Sequence, residues 1–419
     1  MSFTPFLLVA VLFVQCTAIT EPVYVAVGGL DTNSSISVYE LDYAGTGTMS
    51  FVTTLAGSQA PNFIAWRPGA GVKTLFTANR KRGKQLAAVN SIPFIHSNGT
   101  VLATSPQASI AVDDPAHISI HPHGKYAATV STGQGTLTIL ALDPSSGLFL
   151  NNNDTNNTAT TTLPPPTVLP TDQVGNFSHQ AKFSPDGNFL YVPCRDSDWI
   201  HQYSFDVTTG GTVHDNGKVL VPVGTGPRHM AFHPSLPVAY SVNELGSSVT
   251  RFDWDRWQSG QLSANFTADP SRLVSTLAPA SVTPPTPACN DTGDASSCPT
   301  QTAAEIAVSG DGKFAYVSNR GTNGGANNIA IFKVNSKTGA LTPVAWEDAG
   351  GDFIVPRHMS LSPGKEGRYL LVSNEQGNSV VVLRRDAATG LLTKTQTVDT
   401  SGQTTRPSFI AVLHPETVY

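Results

Sequence analysis

Most of the chemistry-bearing side chains in this 419-residue chain recur at two fixed offsets from a Pro or Gly turn. Five or six residues before the turn stand His117, His179, Arg228 with His229, Glu305, and Arg357 with His358. About ten residues after it stand Arg195, Glu244 and Arg320, with Asn243, Asn319 and Asn374 alongside and Glu375 as a further carboxylate. Several cations around one or two carboxylates in a concave site suit a polyanionic small ligand, and His and Glu in the same place can move protons. The same residue types also tie repeat ends together as salt bridges. In a chain with only 13% charged residues, their return at equivalent offsets favours convergence on one site. Other chemistries lack their patterns. There is no HExxH and no Cys/His metal spacing, and His121-Pro122-His123 reads as a strand end plus turn, so no metal or other cofactor is expected. A Gly-x-Ser-x-Gly elbow is absent, and Gly321–Gly325 lacks the following helix that a phosphate loop needs.

The elements that must position these residues are repeats. An apolar alternating strand running into Pro or Gly is written seven times, with turns at Pro68, Pro122, Pro185, Pro234, Gly310, Pro363 and Pro415. Typical copies are Asn62-Phe63-Ile64-Ala65-Trp66-Arg67-Pro68 and Arg228-His229-Met230-Ala231-Phe232-His233-Pro234. Two long intervals contain Asn151–Asp172 and Asp269–Thr302, which read as surface insertions between strands. Within a repeat, short strands follow in meander order, four to a unit, as in the blade of a β-propeller. The last copy ends after its first strand, and Val23–Gly28 and Ile36–Leu41 have the form of the missing second and third strands. The expectation is an all-β fold, one seven-bladed propeller over residues 21–419, its ring closed by both termini sharing a blade. The first strand of each blade then lies nearest the axis, and both offsets open on one mouth.

With 25 Lys and Arg against 30 Asp and Glu, the net charge of −5 carries no cationic excess for nucleic acid. Residues 1–20 are uncharged, apolar through Phe6–Val14 and end in small residues, which reads as a secretory signal peptide; no later stretch is long and apolar enough to span a membrane. Seven Asn-x-Ser/Thr sequons, at Asn33, Asn98, Asn153, Asn156, Asn176, Asn265 and Asn290, fit a eukaryotic, extracellular glycoprotein. Cys289 and Cys298 share one Pro/Thr/Ser-rich segment and are expected to pair, whereas Cys194, ending an apolar strand, reads as a buried thiol.

Four phrases carry a family resemblance: Ser178-His179-Gln180-Ala181-Lys182-Phe183-Ser184-Pro185-Asp186-Gly187, Gly226-Pro227-Arg228-His229-Met230-Ala231-Phe232-His233-Pro234, Ser241-Val242-Asn243-Glu244 and Ser318-Asn319-Arg320. Together the repeats resemble the seven-bladed propeller lactonases, which include bacterial-type 6-phosphogluconolactonases and fungal 3-carboxy-cis,cis-muconate lactonizing enzymes. The resemblance implies a catalytic set of His179, Arg228, Glu244 and Arg320, and the recurring offsets place Arg195, His229, His117, Arg357, His358 and Asn319 around the substrate. The implied activity is making or opening a lactone on a small anionic, carboxymuconate-like substrate by acid/base chemistry without a metal. Flanking cations should keep Glu244 ionised and favour it as base, leaving His179 as acid. Two other readings stand beside it: hydrolysis of a sugar lactone of the 6-phosphogluconolactonase type, and a secreted propeller without catalysis that binds a glycan or protein.

Overall fold

The computed structural model describes residues 23–31, 34–55, 60–67, 72–80, 87–97, 100–103, 108–150, 167–169, 174–279, 301–322 and 325–414. Apolar residues alternating along short strands give each strand one face to bury against the preceding blade and one against the next. The strands form seven antiparallel sheets, and the innermost strands in chain order are Pro61–Arg67, Pro115–Ile120, Lys182–Phe183, Pro227–Phe232, Thr302–Val308, Pro356–Leu361 and Pro407–Leu413. They define blades 1 to 7.

Blade 7 is the shared one. Its inner strand Pro407–Leu413 pairs with Val23–Gly29, which pairs with Ile36–Leu41 and then Met49–Leu55. Apolar clusters fill the spaces between neighbouring blades all the way round. Ile64, Trp66 and Leu75 of blade 1 meet Tyr24, Val38 and Leu413 of blade 7, and Tyr369 and Leu371 of blade 6 meet Val25, Tyr39 and Val412 of blade 7. Closure buries the edges that an open array would leave unpaired.

Polar contacts between blades repeat as well. The hydroxyls of Tyr191, Tyr240, Tyr316 and Tyr369 donate to the carbonyls of Gly260, Gly339, Gly390 and Gly45 in the next blade at 2.6, 2.7, 3.0 and 2.6 Å. His121, as expected, sits at a strand end and turn. Its Nε2 lies 3.0 Å from the Gly187 carbonyl and its Nδ1 accepts from the His123 amide at 3.1 Å.

Both long insertions contribute short outer strands. Thr167–Leu169 is the fourth strand of blade 2, and Leu273–Ser275 pairs with Ser248–Trp254 in blade 4. Neither has the apolar alternation of a buried strand because each lies at the rim of its sheet. Asn176 and Asn265 are exposed; Asn33, Asn98, Asn153, Asn156, Asn290, the Cys289–Cys298 pair and residues 1–20 lie outside the described residues. Cys194 is a buried free thiol.

Candidate active site

Two backbone devices aim side chains at the axis. The residue before the inner strand is left-handed in several blades, with φ of 48° at Ala60, 37° at Asp114, 65° at Gly226, 62° at Val355 and 49° at Arg406, and in blade 3 Phe177, just before the Ser178–Cys194 bridge, has φ of 53°. For a β-branched residue such as Val355 this is a strained conformation, held by the surrounding ring. Immediately afterwards the ladder slips: Pro227 pairs with Asn243 but His229 with Val242, and Pro356 pairs with Asn374 but His358 with Ser373. Such a β-bulge places two residues opposite one and re-aims the extra side chain. Arg228 and Arg357 are the extra residues. Consecutive Arg-His pairs, which simple alternation would send to opposite faces, therefore both reach the axial site.

The arginines form the outer tier, around two carboxylates. Glu244 receives Arg320 Nη2 at 2.8 Å and lies 3.1 Å from Arg228 Nε and 3.7 Å from Arg195 Nη1. These four come from the inner strand of blade 4 and the ends of the second strands in blades 3, 4 and 5, as the offsets require. Arg228 also donates to the Ala304 carbonyl at 2.6 Å, and the Arg195 guanidinium rests 3.5 Å from the centre of the Phe177 ring and 2.7 Å from Asp196. On the adjoining side, Glu375 lies 3.2 Å from Arg357 and is bonded by Arg406. Burial alone would raise the Glu244 carboxyl, but Arg320, Arg195 and Arg228 outweigh it and hold the group well below the usual carboxylate range. Glu375 is likewise lowered, against its burial, by Arg357 and Arg406.

One residue further along each inner strand is a collar of rings. Phe63 lies 3.8 Å from His117 and 3.7 Å from Phe409, centre to centre, and Phe409 lies 3.8 Å from His358. Across the axis, His358 Nε2 and His229 Nδ1 both meet Glu305 Oε2, at 3.2 and 2.7 Å, and His179 Nδ1 is 3.1 Å from His229 Nε2. Burial, followed by nearby cations or imidazoles, drives His117, His179 and His229 well below the ordinary histidine value and His358 down to about 3. These imidazoles are neutral at pH 7. The Glu305 carboxyl is raised by burial, with His358, Arg228 and Lys182 opposing.

The expected set therefore comes together in large part: His179, Arg228, Glu244 and Arg320 with Arg195, His229, Arg357 and His358. His117 belongs to the collar, on the face of Phe63. Asn319 is fully buried, with its amide committed to Thr276 and Asn328, which makes it a strut behind Arg320 rather than a lining residue. Glu244 is ionised as expected. Three guanidiniums hold Glu244 as a carboxylate, and burial with nearby cations keeps His179 neutral.

Residue reading had not singled out Lys182, Arg80 or Arg406. Lys182 occupies the channel-lining register that Ala65, Ser119, Ala231, Ala307 and Ser360 fill in other blades, and a lysine among small residues was the available signal. Burial pulls its ammonium down to about 8. Arg80, paired with Asp114 at 2.6 Å, follows the second strand of blade 1 just as Arg195 follows that of blade 3. A separate groove of about 830 Å³ between blades 4 and 5, lined by Arg251, Trp254, Asp269 and Lys337, shares no residue with the axial cluster.

Comparison with known proteins agrees with this architecture. The family model described as lactonase, 7-bladed beta-propeller, matches residues 24–409. The chain belongs to the seven-bladed β-propeller lactonase family. Among this lactonase-family chain's relatives, a 6-phosphogluconolactonase of Formosa agariphila is 28% identical over 67% of this chain and 69% of its own length. A 6-phosphogluconolactonase of Yersinia pseudotuberculosis is 31% identical over 51% of this chain, the match spanning about half of that relative, 55%. The fold is shared with a periplasmic gluconolactonase of Pseudomonas aeruginosa, with TM-score 0.73 and 23% identity over 94% of this chain and 99% of that one.

Proposed function

We propose that this protein hydrolyses a small lactone carrying a carboxylate or phosphate, with a sugar lactone of the 6-phosphogluconolactone type as the favoured substrate. The observation that carries the proposal is the convergence of Arg195, Arg228 and Arg320 on the single carboxylate Glu244, beside the neutral imidazole of His179. The cationic mouth anchors the anionic substituent, with Arg357 and Arg406 on its second side. Arg228 and Arg320 face the negative charge that develops on the carbonyl oxygen as water adds, a preorganised electrostatic contribution of the kind that is often largest. His179 takes a proton from the attacking water. The new C–O bond forms, the ring C–O bond breaks, and the proton passes to the departing ring oxygen. Glu244 orients the guanidiniums rather than moving a proton.

The names of the curated relatives support the hydrolytic direction. A carboxymuconate would use the same arginines, so it belongs in the same assay. The test follows acid release from 6-phosphogluconolactone and glucono-δ-lactone above the spontaneous rate, and ultraviolet loss from 3-carboxy-cis,cis-muconate. Phosphorylated lactone is expected to be opened fastest, and Arg320→Ala to lose about 10²- to 10³-fold in kcat. No turnover above background, or full activity in both Arg320→Ala and His179→Gln, would reject the proposal and move the protein toward the non-catalytic binding reading.

A further inference from the structure

The hydrogen bonds of the collar have a direction. The backbone N–H of Ile410 can only donate, and it meets His358 Nδ1 at 3.4 Å, so the His358 proton is on Nε2 and is directed at Glu305 Oε2. The amide of Ile306 donates to the other oxygen, Oε1, at 3.0 Å. As a carboxylate, Glu305 accepts from both fixed donors, with Arg228 and Lys182 supplying positive potential against the effect of its burial. Its contact with His229 Nδ1 at 2.7 Å is then a third accepted bond, so His229 Nε2 is bare. A bare His229 Nε2 at 3.1 Å requires the proton of His179 on Nδ1. The lone pair of His179 is left on Nε2, which has no hydrogen-bond partner among the described residues.

We propose that Glu305 and His229 are positioning residues which, through this wire, set His179 as a base and carry its proton away. This rests on the hydrolytic reading above. A proton taken from water by His179 Nε2 would otherwise create an imidazolium facing Arg195, Arg228 and Arg357, all of which disfavour it. The wire avoids that charge. As His179 Nε2 gains the water proton, its Nδ1 proton moves to His229 Nε2, and the His229 Nδ1 proton moves to Glu305 Oε2. Both rings stay neutral and one carboxylate becomes a carboxyl. The reverse shift returns the proton to the ring oxygen when the lactone opens. Glu305 suits this storage because it is enclosed and its proton affinity is already increased, whereas Glu244 is locked ionised by its arginines. Besides Glu305 and His179, the His229 ring is faced by Arg228, Arg357, Glu244, Lys182, His358 and the His117 ring, and these are the groups through which pH would act on it.

The test begins without substrate. In protein labelled with ¹⁵N-histidine, with signals assigned by His179→Gln and His229→Gln, His179 and His229 should show proton-bearing Nδ1 and bare Nε2, and His358 the opposite. Glu305→Gln, which preserves shape but cannot take the proton, should lose that fixed pattern at His179. In kinetics the same variant should lower kcat at least about tenfold with KM unchanged, and convert a curved proton inventory in H₂O/D₂O mixtures to a linear one. A proton on His179 Nε2 in the wild type, or a Glu305→Gln variant that leaves both the tautomer and the inventory unchanged, overturns the wire. If no lactone is turned over, the functional reading fails by itself, and the tautomers still decide the wire.

Discussion

Glu244→Gln probes the outer tier directly. The change keeps the shape of the side chain but removes the carboxylate that Arg195, Arg228 and Arg320 share, leaving Arg195 with Asp196 and Arg228 and Arg320 facing one another, and the three side chains are 9%, 3% and 6% exposed. Removing one partner of a buried ion pair costs about 3–5 kcal/mol, mainly because the remaining charge stays desolvated. An unfolding entropy near 2.1 cal/mol/K per residue gives roughly 0.9 kcal/mol/K for a chain of this length, so the melting temperature should fall by about 3–6 °C. The sign of a second change is the sharper test. Arg320 is among the cations that destabilise the charged form of Arg228, so adding Arg320→Gln to Glu244→Gln should relieve repulsion. The double variant should melt about 1–3 °C above the single one, as expected for coupling of roughly 1–3 kcal/mol between contacting residues. Because the folded Glu244 is held below its unfolded value, its contribution is present above the unfolded value of about 4.3 and is lost as pH falls through the folded one. The gap between wild type and Glu244→Gln should therefore be full at pH 7 and narrow below about pH 4. Circular dichroism melts read all three quantities. A double variant that melts at or below the single one would refute the reasoning.

Three further outcomes follow from other parts of the molecule. His117, His179, His229 and His358 are neutral in the fold and depressed relative to the unfolded chain, so their stabilisation is complete above about pH 6.5 and is lost progressively as pH falls toward the folded value, about 3 for His358. The urea midpoint should drop from pH 7.5 to pH 5, and a flat profile would contradict the buried neutral collar. Gly260→Ala should destabilise more than Gly210→Ala in thermal melts. Both have positive φ, 68° and 87°, but only at Gly260 would the new Cβ lie 2.2 Å from the Phe189 ring, whereas at Gly210 it meets nothing within 4 Å. Burial pushes the Cys194 thiol up to about 12, so iodoacetamide at pH 8 should alkylate it only after unfolding, as read by mass spectrometry.

The ring and its closure were legible because each inner strand has a period of two and ends in the same turn chemistry. The Val23–Gly29 strand could be assigned to the blade of Pro407–Leu413 from the strand that the last repeat lacked. Recurrence at two offsets likewise pointed to the Arg195, Arg228, Glu244 and Arg320 group. The β-bulges were hidden, since Pro-Arg-His read as ordinary alternation sends Arg228 and His229 to opposite faces. So were the left-handed Ala60, Phe177 and Val355, residue types that favour no such backbone on their own.

Residue type and interval carry information about what each repeat buries and which end of its strands holds charge, because those follow from local alternation and turn propensity. They leave undetermined which members of the charged set touch, since His179, His229, Glu305 and His358 come from four different blades and meet only once the ring is closed. The direction of proton transfer is more remote still. It depends on whether burial or neighbouring charge prevails at each carboxylate: three guanidiniums keep Glu244 ionised, while enclosure raises Glu305. The chain sequence specified the two acids, and the packing around them made them chemically different.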